Sequence, residues 1–122
     1  MVIKITRDEL IRLIDSGEKF KLVDVLDAAH FEKEHIKGAI SLPAADIEKK
    51  AVNMLKRAEK IVVYCASFDC QASTNAAEKL LVLGFKNVLD YKGGLKDYKE
   101  ANLPLEGALH TGISKVGSNC CC

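Results

Sequence analysis

At 122 residues, 48% hydrophobic and 29% charged, the chain has the length of one ordinary domain and a soluble globular composition, so a single folded domain is expected and a disordered polymer is excluded. The formal net charge is +1 with lysines scattered among acids, which excludes the basic stripe of a nucleic-acid binder. No apolar run approaches the roughly 20 residues that cross a bilayer and MVIKITRDEL lacks a signal-peptide core, so the expected setting is cytoplasmic, without a membrane partner.

Val2 to Ile5 alternates apolar and polar residues as a strand does, and Thr6-Arg7-Asp8-Glu9 then has the form of a capping box. Leu10, Ile11, Leu13 and Ile14 give the helix that follows an apolar face, and Gly17 ends it. Leu22 to Leu26 reads as a strand covered on both faces, with a short helix expected from Ala28 to Glu34. Ala39 to Leu42 is a brief strand stopped by Pro43. Asp46 is the expected cap of a second helix, with Ile47, Ala51, Met54, Leu55 and Ala58 on one face.

Ile61-Val62-Val63-Tyr64 is the strongest strand pattern, and it runs into Cys65. A third helix turns Ala72, Ala76, Ala77, Leu80, Leu81 and Leu83 inward and ends at Gly84; Val88-Leu89 is the last strand expected. Gly93-Gly94 leads into a short helix from Leu95 to Ala101, and Asn102-Leu103-Pro104 closes the domain. The fold class implied is α/β, a small, mostly parallel sheet of about five strands with helices on both faces. One domain is expected over residues 1–106, with a tail over 107–122 that ends in Cys120-Cys121-Cys122.

Ligands of open parallel sheets bind beyond the carboxyl ends of the strands. Three segments meet there: Asp24 onward, the loop Cys65 to Gln71, and Lys92-Gly93-Gly94. Cys65 stands between a strand end and a helix start, where unpaired N–H groups favour a thiolate, so it is the candidate nucleophile. The alternative is a thiol that serves as a small buried hydrophobe. The backbone of Ala66, Ser67, Phe68, Asp69, Cys70 and Gln71 would supply donors to a sulfur anion. Cys70 is close enough in sequence to act as a redox partner for Cys65. Lys92 is a candidate anion contact, Asp24 is expected to bond loop amides, and Asp69 is expected to face solvent.

His30, His35 and His110 are too dispersed for a catalytic dyad. Five cysteines, an odd number, argue for reactive thiols over a disulfide framework. The terminal cysteines have neither zinc-site spacing nor the position of a prenylation box. No metal and no cofactor are expected.

KLVDV, HFEKEHIKGAISLP, IVVYC with its loop, and YKGGLKDYKEANLP together resemble the rhodanese homology family, in its order and spacing, from about Ile3 to Glu106. The resemblance implies a sulfurtransferase that carries sulfane sulfur as a persulfide on Cys65, from thiosulfate, polysulfide or a persulfide to a thiol or cyanide. It also implies a loop-anchoring role for His35. This chain departs from the family pattern at Leu26, where an arginine is usual, and at Tyr98, where tryptophan is usual. Its loop lacks arginine, holds Phe68 at its centre and is about two residues longer, which implies a less basic, more apolar pocket than the family's. Gln71 stands where related phosphatases have a phosphate-clamping arginine, which argues against that chemistry. Two other expectations stand beside the sulfurtransferase: a thiol-disulfide protein using Cys65 and Cys70, and a non-catalytic binding module. The partners expected are a small sulfur compound or a protein thiol; the oligomeric state is left open.

Overall fold

Apolar runs bounded by turn residues become strands in the computed structural model, which describes residues 2–110. The strands are β1 (Ile3–Ile5), β2 (Lys21–Asp24), β3 (His35–Ile36), β4 (Ile40–Ser41), β5 (Lys60–Tyr64), β6 (Asn87–Tyr91) and β7 (Leu105–Glu106). The helices are α1 (Arg7–Asp15), α2 (Ala28–Lys33), α3 (Ile47–Met54), α4 (Ala72–Val82) and α5 (Gly94–Glu100). Five strands form one sheet in the order β1-β6-β5-β2-β4, and every pair in it is parallel. Val63 lies beside Val23 on one side and Asp90 on the other, which makes β5 the central strand.

The pleat of β5 divides the core. Ile61, Val63 and Cys65 pack with Ile47, Ala51, Ala76, Ala77 and Leu80 of α3 and α4. Val62 and Tyr64 face the other way, toward Leu10, Ile36, Tyr91 and Tyr98. Helices therefore cover both faces, as the α/β reading requires. No helix among the described residues is long and apolar enough to cross a membrane.

The two helix starts differ. Thr6 Oγ1 accepts from the Glu9 N–H at 3.2 Å and Glu9 Oε1 accepts from the Thr6 N–H at 2.9 Å, so the capping box is complete. Asp46 departs from its expected role: its side chain makes no cap hydrogen bond, because a 3-10 turn over Ala44–Asp46 leads directly into α3. The helix also stops earlier than its apolar spacing predicts. Leu55 adopts extended dihedrals (φ −128°, ψ 151°) and leaves Met54 and Ala58 exposed while staying buried itself. We expect Thr6→Ala to cost about 1 kcal/mol and Asp46→Ala less than about 0.5 kcal/mol. Urea denaturation of the two variants separates these values.

One small sheet was absent from the sequence reading. β3 and β7 pair antiparallel, His35 with Glu106 and Ile36 with Leu105, so the chain returns past Pro104 instead of closing there. The Tyr64 hydroxyl accepts from the Ile36 N–H at 3.0 Å and ties this ribbon to the central strand. A 3-10 turn follows over Ala108–His110. Cys120, Cys121 and Cys122 lie outside the described residues.

Candidate active site

β5 delivers Cys65 to the carboxyl edge of the sheet, where the side chain is fully buried. Its carbonyl accepts from the Leu95 N–H at 2.8 Å, and the Ala66 carbonyl accepts from the Lys96 N–H at 2.8 Å, so the start of α5 grips the start of the loop. Only glycine permits this approach. Gly94 has φ +67°, and a Cβ there would stand 2.5 Å from the Cys65 carbonyl oxygen. At Gly93 a Cβ would meet the Asp97 carboxylate at 2.6 Å.

The loop folds back so that Cys70 reaches Cys65. The Cys70 N–H donates to the Ser67 carbonyl at 3.1 Å, and the Cys65 thiol donates to the Cys70 carbonyl oxygen at 3.4 Å. Lys92 Nζ donates to the same carbonyl at 2.7 Å, so the cation expected as an anion contact is engaged by the loop backbone. The two thiols also influence each other's ionisation.

Their ionisation separates. Burial first, and the hydrogen bond with Cys70 second, push the Cys65 thiol above its ordinary value, while the Ser73 hydroxyl and amide oppose them. This reverses the low pKa expected from helix-start placement, because the sulfur sits in the core cluster beneath α4, where desolvation outweighs the amides. For Cys70, burial also pushes upward, but the hydrogen bond from Cys65, the amides of Ala66 and Ala72, and the charge of Lys92 outweigh it and pull the thiol below its ordinary value. The pair therefore ionises first at Cys70, with the remaining proton on Cys65.

A cleft of about 420 Å³ opens beside the loop, between Phe68, Lys92 and Gly93 on one side and Lys4 and Arg7 on the other. Phe68 is 63% exposed at its mouth. Arg7 pairs with Asp97 at 3.0 Å, and the Tyr91 hydroxyl donates to the other Asp97 oxygen at 2.7 Å. The surroundings are thus more charged than the arginine-free loop suggests, because β1 and α1 contribute cations from the far end of the sequence.

A family model described as rhodanese-like domain matches residues 6–101. The chain belongs to the rhodanese-like domain family. It is 33% identical over 85 residues to YrkF of Bacillus subtilis, which is named as a proposed sulfur carrier protein; the match covers 70% of this chain and 44% of YrkF. It is 36% identical over 104 residues to YibN of Escherichia coli K12, itself uncharacterised, covering 83% of this chain and 70% of YibN. The chain therefore spans less than half the length of YrkF. The solution structure of the rhodanese-like domain of Alr3790 from Anabaena superposes with a TM-score of 0.81 at 28% identity, covering 98% of this chain and 89% of that one.

Within this rhodanese-like fold the other expected residues are placed as follows. Ala66, Asp69 and Gln71 are exposed, Ser67 is half-buried, and Gln71 precedes α4 without a side-chain cap. The expected cradle of loop amides takes another form: Ser73 supplies the amide that favours the Cys65 thiolate, and the Ala66 amide serves Cys70 instead. Asp24 Oδ1 accepts from the Leu26 N–H at 2.8 Å, and burial raises its carboxyl above the usual range against that bond. His30 pairs with Asp27 at 2.7 Å. His35 stacks on Phe31 at 3.7 Å and donates from Nδ1 to its carbonyl at 2.7 Å. Among the described residues no His, Cys, Asp or Glu group is arranged to hold a metal.

Two site residues escaped the sequence reading, Ser73 and Asp90. Ser73 is fully buried with its hydroxyl unpartnered among the described residues, and it is one of the groups that hold the Cys65 ionisation down. Its signal was available: Ser73 precedes Ala76, Ala77 and Leu80 at helical spacing, so a polar side chain occupies a core position at the helix start. Buried Asp90 accepts from the Thr74 hydroxyl at 2.7 Å and braces the same end of α4 against β6.

Proposed function

We propose that this rhodanese-like domain is a sulfurtransferase that passes sulfane sulfur through a persulfide on Cys65. The observation that carries the reading is the position of the Cys65 sulfur, at the end of the central strand and in the core cluster beneath α4, where the Ser73 hydroxyl and amide draw its ionisation down against burial. Those donors favour an anion on that sulfur, whether thiolate or persulfide. The Cys65 thiolate attacks the outer sulfur of thiosulfate, polysulfide or a persulfide. A new S–S bond forms, the donor's own S–S bond breaks, and the donor remnant (sulfite in the case of thiosulfate) leaves with the bonding pair. A protein thiol or cyanide then takes the outer sulfur and returns Cys65 as thiolate.

Two features favour polysulfide or persulfide donors over thiosulfate. The loop has no arginine to clamp a sulfonate, and Lys92 is engaged with the Cys70 carbonyl. A cytoplasmic setting, where thiols are kept reduced, suits this chemistry.

The test is mass spectrometry after brief exposure to inorganic polysulfide. Trypsin releases residues 61–79 as one peptide that holds Cys65 and Cys70 but none of the terminal cysteines. In a Cys70→Ser protein this peptide is expected to gain one sulfur atom, and in a Cys65→Ser protein Cys70 is expected to gain none. Absence of any gain at Cys65 with thiosulfate, polysulfide and a low-molecular-weight persulfide alike would leave a non-catalytic binding module.

A further inference from the structure

The sulfur-transfer reading needs Cys65 alone and gives Cys70 nothing to do, although the loop turns back to set Cys70 against the Cys65 sulfur. Resting on that reading, we propose that Cys70 resolves the Cys65 persulfide, so that the domain reduces sulfane sulfur to hydrosulfide. Cys70 attacks the inner sulfur, an S–S bond forms between Cys65 and Cys70, and the persulfide bond breaks. The outer sulfur departs with the bonding pair and with the one proton that persulfide and thiol hold between them, as hydrosulfide. The sulfane sulfur is reduced and the two cysteine sulfurs are oxidised, so closure consumes no outside electrons. A dithiol reductant of the thioredoxin class then opens the disulfide and restores both thiols.

Three observations support this step. Cys70 stands against the buried Cys65 sulfur, so it is placed to reach a persulfide there ahead of an acceptor arriving from solvent. Lys92 fixes the Cys70 carbonyl at 2.7 Å, and the Cys70 N–H bonds Ser67, so the attacking residue is held in place and the reaction has the advantage of a preorganised intramolecular step. Each thiol shifts the other's ionisation, as neighbouring sulfurs do. The ease with which Cys70 ionises agrees with its place as the attacking group.

The full-length wild type, Cys70→Ser and Cys65→Ser proteins are exposed briefly to inorganic polysulfide, desalted rapidly without reductant, and followed for released hydrosulfide and for the mass of peptide 61–79. In the wild type we expect one equivalent of hydrosulfide and a peptide short of two hydrogens. In Cys70→Ser the peptide should keep one extra sulfur on Cys65, with a lifetime at least about tenfold longer. Cys65→Ser should do neither. A sulfur that persists on Cys65 in the wild type, or that is found on Cys70, overturns the resolving role while leaving the persulfide intact. If Cys70→Ser gains no sulfur, the Cys65 persulfide itself fails and this proposal falls with it.

Discussion

Gly94→Ala is expected to lower folding stability by about 2–5 kcal/mol, the sum of a left-handed backbone penalty and an overpacked contact. The added methyl has no room: it would face the Cys65 carbonyl at 2.5 Å, the Ser67 nitrogen at 2.9 Å and the Ala66 carbonyl carbon at 3.0 Å, all backbone atoms that cannot swing aside. Relief requires α5 to withdraw, which breaks the bonds from Leu95 and Lys96 that hold the first two loop carbonyls. Cys65 then shifts relative to Ser73, and sulfur loading should fall about a hundredfold even where the variant remains folded, since a displacement near 1 Å is enough for that loss. Gly17→Ala is the matched control. It has a similar φ of +75° and nothing within 4 Å of the added carbon, so it should cost only about 1–2 kcal/mol and leave sulfur loading unchanged. Urea denaturation and the mass gain of peptide 61–79 read the two effects separately. Equal behaviour of the two glycine variants would remove the close approach at Gly94 from the account.

The contrast between these glycines shows which features a sequence makes readable. Gly93-Gly94 is legible as a turn, but the reason for it lies in Cys65, Ala66 and Ser67, far back in the chain. The strand β5 was readable because Ile61 to Tyr64 is an unbroken apolar run rich in β-branched residues, as a strand covered on both faces needs, and the Thr6–Glu9 box because both partners sit within one turn. Asp46 failed as a cap because that choice depends on the backbone before it, where a 3-10 turn had already satisfied the geometry. β3 and β7, two residues each, carry no periodicity at all and exist through a pairing between distant segments. At the site, strand-to-helix placement located Cys65, yet the direction of its ionisation came from burial beneath α4 and from contact with Cys70. Local sequence reports neither. Lys4 and Arg7 reach the cleft beside the loop only because β1 lies next to β6 in the sheet.

Ser73→Ala is the second large effect expected, and its sign follows from the balance at Cys65. The Cys65 thiol already ionises above its ordinary value through burial and its contact with Cys70, and the Ser73 hydroxyl is one of the groups that hold it down. Removing that hydroxyl leaves the upward influences in place, so the thiol moves further up and a smaller fraction is thiolate near neutrality. A hydrogen bond to a charged group is worth roughly 1.5–3 kcal/mol, so Cys65 alkylation and sulfur loading near pH 7 should each slow about tenfold or more. The deficit must shrink as pH rises and vanish once both proteins are fully ionised at Cys65. Cys70 provides the reference within the same peptide: its ionisation is governed by Cys65, the Ala66 and Ala72 amides and Lys92, so its alkylation profile should stay below that of an ordinary thiol in both proteins. Folding stability should hardly change, because the hydroxyl that is lost has no well-formed hydrogen bond to lose. A general loosening of α4 would slow or hasten both cysteines at every pH and lower the urea midpoint. A rate deficit confined to Cys65 and erased at high pH belongs to a hydroxyl that stabilises negative charge on that sulfur, which is what a persulfide carrier requires there.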